Sequence, residues 1–355
     1  MTTKYIEIYE NLRQDIESGN YKKGEKLPSK RVISENFSVS LITVEHACEL
    51  LIEEGYIQAK ERSGYYVIYD YEPEHLSPDY PDYPPAEKNN LPDEPKKKDP
   101  LSFSFAIYAK TVRRVLSSVN LKLLEKSPAE GIWALREAIS VYLKRSGKIS
   151  ALPDQIIIGA GAEYLYGLIV EALGRDKIYA LEFPSYEKIA EVYTAGGAEI
   201  KLLSLGNNGI VSKDLWESKA DVLHITPYRS FPSGVTATVS KKHEYLRWCE
   251  KSDRYIVEDD FESEFTKSRK AEETLFSLDK NSRVIYVNTF TKTIGPYIRT
   301  AYMVIPRNLI ETFKIKTGFY SCPVPTLEQY VITELINNRD FERHINRVRR
   351  LARVR

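Results

Sequence analysis

The sequence predicts two folded parts, a small α+β unit followed by a larger α/β unit. Three observations carry this. The chain has 355 residues, more than one hydrophobic core usually holds. Residues 71–100 contain eight prolines and eight acidic residues with hardly any aliphatic side chain, a composition that stays extended and reads as a linker. Before that stretch, short helical periods give way to two alternating segments; after it, helical patterns alternate with fully apolar runs, the rhythm of a mainly parallel sheet.

In the first part, Tyr5, Ile8, Leu12 and Ile16 recur at helical spacing until Gly19 stops the helix. Ser29 is a suitable cap for a second helix and Ser40 for a third, which carries Val44, Ala47, Cys48 and Leu51 inward and ends at Gly55. Residues 57–59 and 65–69 alternate about Arg62-Ser63-Gly64 as a two-stranded wing. Three helices and a wing make a winged helix-turn-helix.

Bulk composition excludes several classes. Hydrophobic residues make up 42% and charged residues 28%, as in soluble globular proteins. No apolar run approaches a membrane span and the N-terminus reads as a polar helix, so no membrane partner is expected. Cys48, Cys249 and Cys322 are isolated, without metal-ligand or disulfide spacing, which predicts buried thiols, no metal site and a reducing, cytoplasmic location. The net charge of +1 carries no signal for nucleic acid, so any such signal must be local.

In the second part, the apolar run Val284–Val287 leads into Asn288-Thr289-Phe290-Thr291-Lys292-Thr293-Ile294-Gly295-Pro296, which places Lys292 on a polar turn at a strand end. Another buried strand, Tyr255-Ile256-Val257, ends in Glu258-Asp259-Asp260. A lysine and a carboxylate at neighbouring strand ends are what pyridoxal phosphate (PLP) chemistry requires, the amine condensing with an aldehyde and the carboxylate holding a ring nitrogen protonated. Lys292 is the expected Schiff-base lysine. Strand alternation sends Asp259 and Asp260 to opposite faces, although a strand end can twist. Between the strand 156–158 and a helix from about 163 to 173, Gly159-Ala160-Gly161-Ala162-Glu163 forms a turn whose amides can converge on an anion. Such a turn is by itself often only a tight connection.

The pattern as a whole resembles a known family. Gly24-Glu25-Lys26-Leu27-Pro28-Ser29-Lys30-Arg31, Val39-Ser40, Glu54-Gly55-Tyr56-Ile57 and Ser63-Gly64-Tyr65-Tyr66-Val67 resemble the N-terminal domain of GntR-type regulators. Glu130–Ile139, Ile156–Leu165, Thr226-Pro227 with Phe231-Pro232-Ser233-Gly234, and Ile256–Asp260 resemble the MocR branch of that family. The resemblance implies a winged helix at 1–70 joined through 71–100 to a fold-type I aminotransferase-like domain at 101–355. It implies Asp259 as the partner of the pyridine nitrogen, and Thr289 and Arg299 as phosphate ligands beside Gly161, Ala162 and Glu163. It also places Tyr186 where such folds stack an aromatic ring on the cofactor, with a core tyrosine as the rival reading.

Three departures limit what is inherited. Phe261 stands where the family usually has tyrosine, and Phe231 where aminotransferases often have asparagine, so the cofactor's ring oxygen lacks its expected partners; Arg229 or Ser230 are the substitutes at hand. The chain also ends at Arg355 in a basic helical segment, short of the C-terminal small subdomain that usually carries the arginine gripping a substrate carboxylate. The sequence therefore reads as truncated there, and efficient aminotransferase turnover is not expected.

Residues 1–70 carry nine Lys/Arg against twelve Asp/Glu, the wrong sign for neutralising phosphates. The cations cluster, however, at 22–31 and on the wing. Lys30, Arg31, Ser40, Thr43 and His46 are the candidate DNA contacts, with Arg62 reaching a minor groove. Where relatives commonly place an arginine, this chain has Leu41. The leading expectation is a PLP-dependent transcription regulator, binding operator DNA as a homodimer and sensing PLP or a small amine. An active aminotransferase with an accessory helical domain, and a DNA-binding regulator whose degenerate large domain only dimerises, are the alternatives.

Overall fold

A computed structural model describes residues 4–61, 63–70, 101–147, 149–250, 252–266 and 272–354. The chain divides into two compact units, Met1–Glu94 and Pro95–Arg355. The expected linker at 71–100 lies outside the described residues, as does Arg62.

In the first unit, helices α1 (Lys4–Glu17), α2 (Lys30–Phe37) and α3 (Leu41–Glu53) precede strands β1 (Ile57–Lys60) and β2 (Gly64–Val67). Ser29 and Ser40 cap α2 and α3, accepting from the amides of Val32 and Thr43. The strands pair antiparallel from Ile57 opposite Val67 to Lys60 opposite Gly64. Ile8, Leu12, Ile16, Leu27, Ile33, Val44, Ala47, Leu51, Ile57 and Val67 form one core. Of the inward set read from helical spacing, Ile8, Leu12, Ile16, Val44, Ala47, Cys48 and Leu51 are buried, Tyr5 packs half-buried against them, and Tyr9 joins the core unread.

The second unit opens with α4 (Phe105–Val119) and α5 (Trp133–Arg145), followed by β3 (Ile156–Gly159), α6 (Ala162–Leu173), β4 (Ile178–Phe183), α7 (Glu187–Ala195), β5 (Glu199–Gly206), β6 (Gly209–Ile210), α8 (Ser212–Glu217) and β7 (Val222–Ile225). Then come α9 (Val239–Glu250), β8 (Tyr255–Asp259), α10 (Leu275–Leu278), β9 (Val284–Thr289), β10 (Ala301–Val304), α11 (Ile310–Thr317), α12 (Thr326–Asn337) and α13 (Asp340–Val354). The eight strands run in the order β3-β10-β9-β8-β7-β4-β5-β6. Strands β9, β8, β7, β4 and β5 are mutually parallel, while β10 is antiparallel to both its neighbours.

Strand alternation divides the side chains between two helical layers. Ile157, Val257, Ile285, Val287 and Met303 face α6, α7 and α11. On the other face, Ile256 and Val284 pack with α9, and Ile158, Tyr286 and Tyr302 with α5, α12 and α13. The sheet is thus covered on both sides, and the apolar parallel strands follow from that double burial. The parallel strands β4, β7, β8 and β9 all end at one edge, where ligands of open α/β sheets bind. Among the described residues no helix is long and apolar enough to cross a membrane.

Candidate functional site

At that edge the alternation 255, 257, 259 along β8 directs Asp259 to the α6 side. Its Oδ2 accepts a hydrogen bond from Tyr166 Oη at 2.5 Å, and His224 Nε2 lies 3.9 Å away. His224 donates or accepts through Nδ1 with Tyr193 Oη at 2.7 Å; its buried Nε2 has no hydrogen-bond partner among the described residues. Burial, reinforced by the Asp259 charge, pushes the Tyr166 phenol well above its usual range, so it remains a donor. Asp260 turns the other way, accepting from Ser263 Oγ at 2.6 Å and Tyr286 Oη at 2.8 Å. Of the two aspartates, Asp259 is the one that faces a cavity.

Asp259 lines a cavity of about 260 Å³ with Ala162, Tyr166, Tyr186, Thr226, Phe231, Phe261 and Thr289. Lys292 lines a second hollow of about 720 Å³ with Arg229, Glu262, Thr289 and Phe265. Thr289, the last residue of β9, belongs to both. The Lys292 ammonium pairs with Glu262 Oε1 at 3.1 Å and sits 6.0 Å from the centre of the Phe261 ring. Glu262 also receives Arg229, at 3.5 Å. Lys292 and Asp259 therefore lie at the same edge with Phe261 and Thr289 between them, and the amine is directed to a carboxylate.

The glycine turn leads into α6. Gly161 has φ +93°, and a Cβ there would come within 3.1 Å of Arg299 Nη2, so the absence of a side chain lets the guanidinium approach the helix N-terminus. Arg299 Nη2 lies 3.3 Å from Glu163 Oε2, and Lys188 Nζ 3.6 Å from Glu163 Oε1. As an anion held by two cations, the Glu163 side chain offers nothing to a phosphate; what it can contribute is its backbone amide at the first turn of α6. Tyr186 is partly exposed at the cavity mouth, which fits a stacking surface better than a core tyrosine.

Neither substitute for the missing oxygen partners lines the Asp259 cavity. Arg229 is held by Glu262, and Ser230 donates to buried Glu182 Oε1, which also accepts from the Thr226 amide at 3.2 Å. Burial raises Glu182 to about 7. Sequence reasoning missed Tyr166, His224, Glu182 and Glu262. Tyr166 was within reach, because it lies four residues after Ala162 and so shares its helix face; His224 and Glu182 sit inside apolar strands whose pattern says nothing of a polar partner.

In the first unit, Ser40 and Thr43 join their hydroxyls at 2.8 Å in capping α3. Lys30 pairs with Glu45 and lies 5.4 Å from the Tyr65 ring. Arg31 is exposed and has no ion pair among the described residues. His46 is exposed, its ring edge-on to Tyr5 at 6.2 Å. Lys26, Lys30 and Lys60 line a groove of about 360 Å³ between the start of α2 and the wing. The groove thus brings Lys26, Lys30 and Lys60 together, with Lys30 paired to Glu45 and Lys23 paired to Asp70.

Residues 4–67 match the family of bacterial regulatory proteins, gntR family, and residues 109–355 match aminotransferase class I and II. Similar proteins include the uncharacterized HTH-type transcriptional regulator YdeL of Bacillus subtilis, 30% identical over 98% of this chain and 76% of the relative. The probable rhizopine catabolism regulatory protein MocR of Rhizobium meliloti is 27% identical over 97% and 74%. The HTH-type pyridoxine biosynthesis transcriptional regulator PdxR of Corynebacterium glutamicum is 25% identical over 98% and 76%. Among solved structures, an archaeal alanine:glyoxylate aminotransferase (TM-score 0.62, 23% identity, 68% of this chain) and the Pyrococcus horikoshii kynurenine aminotransferase (TM-score 0.63, 24% identity, 71% of this chain) share the fold of the larger unit. The chain spans 62% and 65% of the length of those two enzymes.

Proposed function

Because the chain belongs to the MocR branch of the GntR family, with a GntR regulatory domain joined to an aminotransferase class I and II domain, we propose that it is a transcription regulator whose larger unit binds PLP and responds to it or to a small amine. The observation that carries this reading is the convergence of Asp259, Thr289, Lys292 and the Arg299–Gly161 approach at one sheet edge. When bound, PLP supplies an aldehyde that condenses with amines and a protonated ring that withdraws electrons. Asp259, fixed by Tyr166, is the counter-charge for the ring nitrogen. Lys292 would be the covalent anchor, and Glu262 orients its amine. Thr289, Arg299 and the amides of Gly161, Ala162 and Glu163 would hold the phosphate, and Tyr186 would offer an aromatic face at the cavity. Among the relatives, PdxR is named for control of pyridoxine biosynthesis, which supports an effector of that chemistry.

The smaller unit carries the DNA contacts, through Arg31, Lys30, Ser40, Thr43, His46 and Arg62. A homodimer in the cytoplasm, reading two half-sites, completes the proposal.

The test is covalent retention. After borohydride reduction and denaturation, wild-type protein incubated with PLP should keep a pyridoxyl label, and Lys292→Ala should keep none; a label of undiminished yield on the variant sinks the anchor. Asp259→Asn should raise the dissociation constant for PLP by about tenfold or more, since one pKa unit of lost counter-charge corresponds to that factor.

A further inference from the structure

The first turn of α3 carries an unusual pair for a surface meant for a polyanion. Leu41 and Ile42 are 48% and 65% exposed, although Val44, Ala47, Cys48 and Leu51 on the same helix are buried. Ser40 sets their position: its side chain accepts from the Thr43 amide at 3.2 Å and fixes where the helix begins. Two branched aliphatic side chains therefore project from the helix tip. The same unit carries cations toward this helix: Arg31 is exposed on α2, and Lys26, Lys30 and Lys60 line a groove from which Lys30 reaches Glu45 of α3. Glu45, one turn further along α3, is occupied by Lys30.

We propose that Leu41 and Ile42 read the 5-methyl groups of thymine in the major groove, making them specificity-determining residues for T-containing half-sites. This rests on the DNA-binding reading of the smaller unit. A recognition helix meets base edges with its N-terminal residues, and the thymine methyl is the apolar feature of the major groove among the unmodified bases. Aliphatic side chains lack the donors and acceptors that would distinguish guanine, cytosine or adenine. The cations of α2 and the wing fit the phosphates on either flank, so duplex DNA matches the whole surface, whereas a purely apolar protein partner would leave Arg31, Lys26 and Lys60 without an anion.

The probe is a duplex selected from a random-sequence pool by the full-length chain, measured by fluorescence anisotropy at fixed salt. Replacing individual thymidines of a half-site by deoxyuridine removes the methyl and nothing else. Wild-type affinity should fall roughly three- to fivefold at each contacted position, the equilibrium worth of about one buried carbon. The double variant Leu41→Ala, Ile42→Ala should bind thymidine and deoxyuridine duplexes alike. Both side chains are exposed, and the deoxyuridine arm requires no altered protein. Equal wild-type affinity for the two duplexes, with Arg31→Ala still weakening both, overturns the methyl reading and leaves DNA binding intact. If the chain enriches no duplex at all, the DNA-binding reading falls as well.

Discussion

Glu182 shows how one side chain joins the site to the stability of its loop. Its Oε1 accepts from both Ser230 and the Thr226 amide, so it ties the segment after β7 to the end of β4. Burial raises its pKa from the usual carboxyl value to about 7, which means that the folded state prefers the protonated form. The associated stability is fully present below about pH 4.5 and is lost as pH rises through about 7. Glu182→Gln keeps an oxygen for both hydrogen bonds and removes the ionisation. Relative to wild type it should therefore gain stability between about pH 5 and pH 8, by as much as about 3 kcal/mol. Denaturant midpoints across that range decide this, and a pH-independent difference between the two proteins would remove Glu182 as the source. A second residue-scale expectation concerns Phe261. Its ring lines the Asp259 cavity, while Arg229 and Ser230 are engaged by Glu262 and Glu182. Phe261→Tyr should tighten PLP binding, because a hydrogen bond to a charged oxygen is worth about 1.5–3 kcal/mol with good geometry. Equilibrium titration of the two proteins with PLP reads the difference, and identical constants would mean that the ring oxygen lies elsewhere.

At the scale of elements, what could be read from the sequence followed the strength of the local code. The caps Ser29 and Ser40, the glycine stops, the wing and the buried set of the smaller unit all rest on short-range rules, and the helices begin where those rules put them. The strand-end positions of Asp259 and Lys292 were legible because apolar runs give way to polar residues there, Asp259 ending β8 and Lys292 following β9 by three residues. The direction of the Lys292 amine toward Glu262 was not legible, since Glu262 lies 30 residues away on the loop after β8 and only the parallel pairing of β8 with β9 brings them together. His224 and Glu182 were hidden for the same reason. They are polar groups whose partners come from β8, α7 and the loop after β7, and no spacing within one strand announces them. The cap rule itself is testable. Ser29 Oγ accepts from the Val32 amide, so Ser29→Ala should destabilise the smaller unit by about 1 kcal/mol, while Ser29→Asp, which restores an acceptor beside the helix N-terminus, should recover it. Thermal unfolding followed at the smaller unit would contradict this if both variants melted alike.

For the molecule as a whole, charge and exposed surface lead to the last prediction. The smaller unit has a negative total with cations confined to 22–31 and the wing, so one copy offers few phosphate contacts and a shallow electrostatic field. A regulator built this way gains affinity by holding two copies on one duplex, the second engaging at the high effective concentration that the first creates. The larger unit carries apolar surface suited to such pairing: Leu121 and Leu124, in the turn after α4, are 71% and 83% exposed, the kind of apolar exposure that marks an interaction surface. The full chain should therefore sediment as a dimer, and the double variant Leu121→Ser, Leu124→Ser should shift it toward monomer without altering its circular dichroism, because neither side chain supports the core. On a selected duplex with two half-sites, wild type should bind with two chains per duplex and lose affinity when about five base pairs, half a helical turn, are inserted between the half-sites. The serine variant should be indifferent to that insertion. A dimer that survives both serines would move the pairing surface away from α4, and wild-type binding that ignores the half-site spacing would remove the paired arrangement of winged helices altogether.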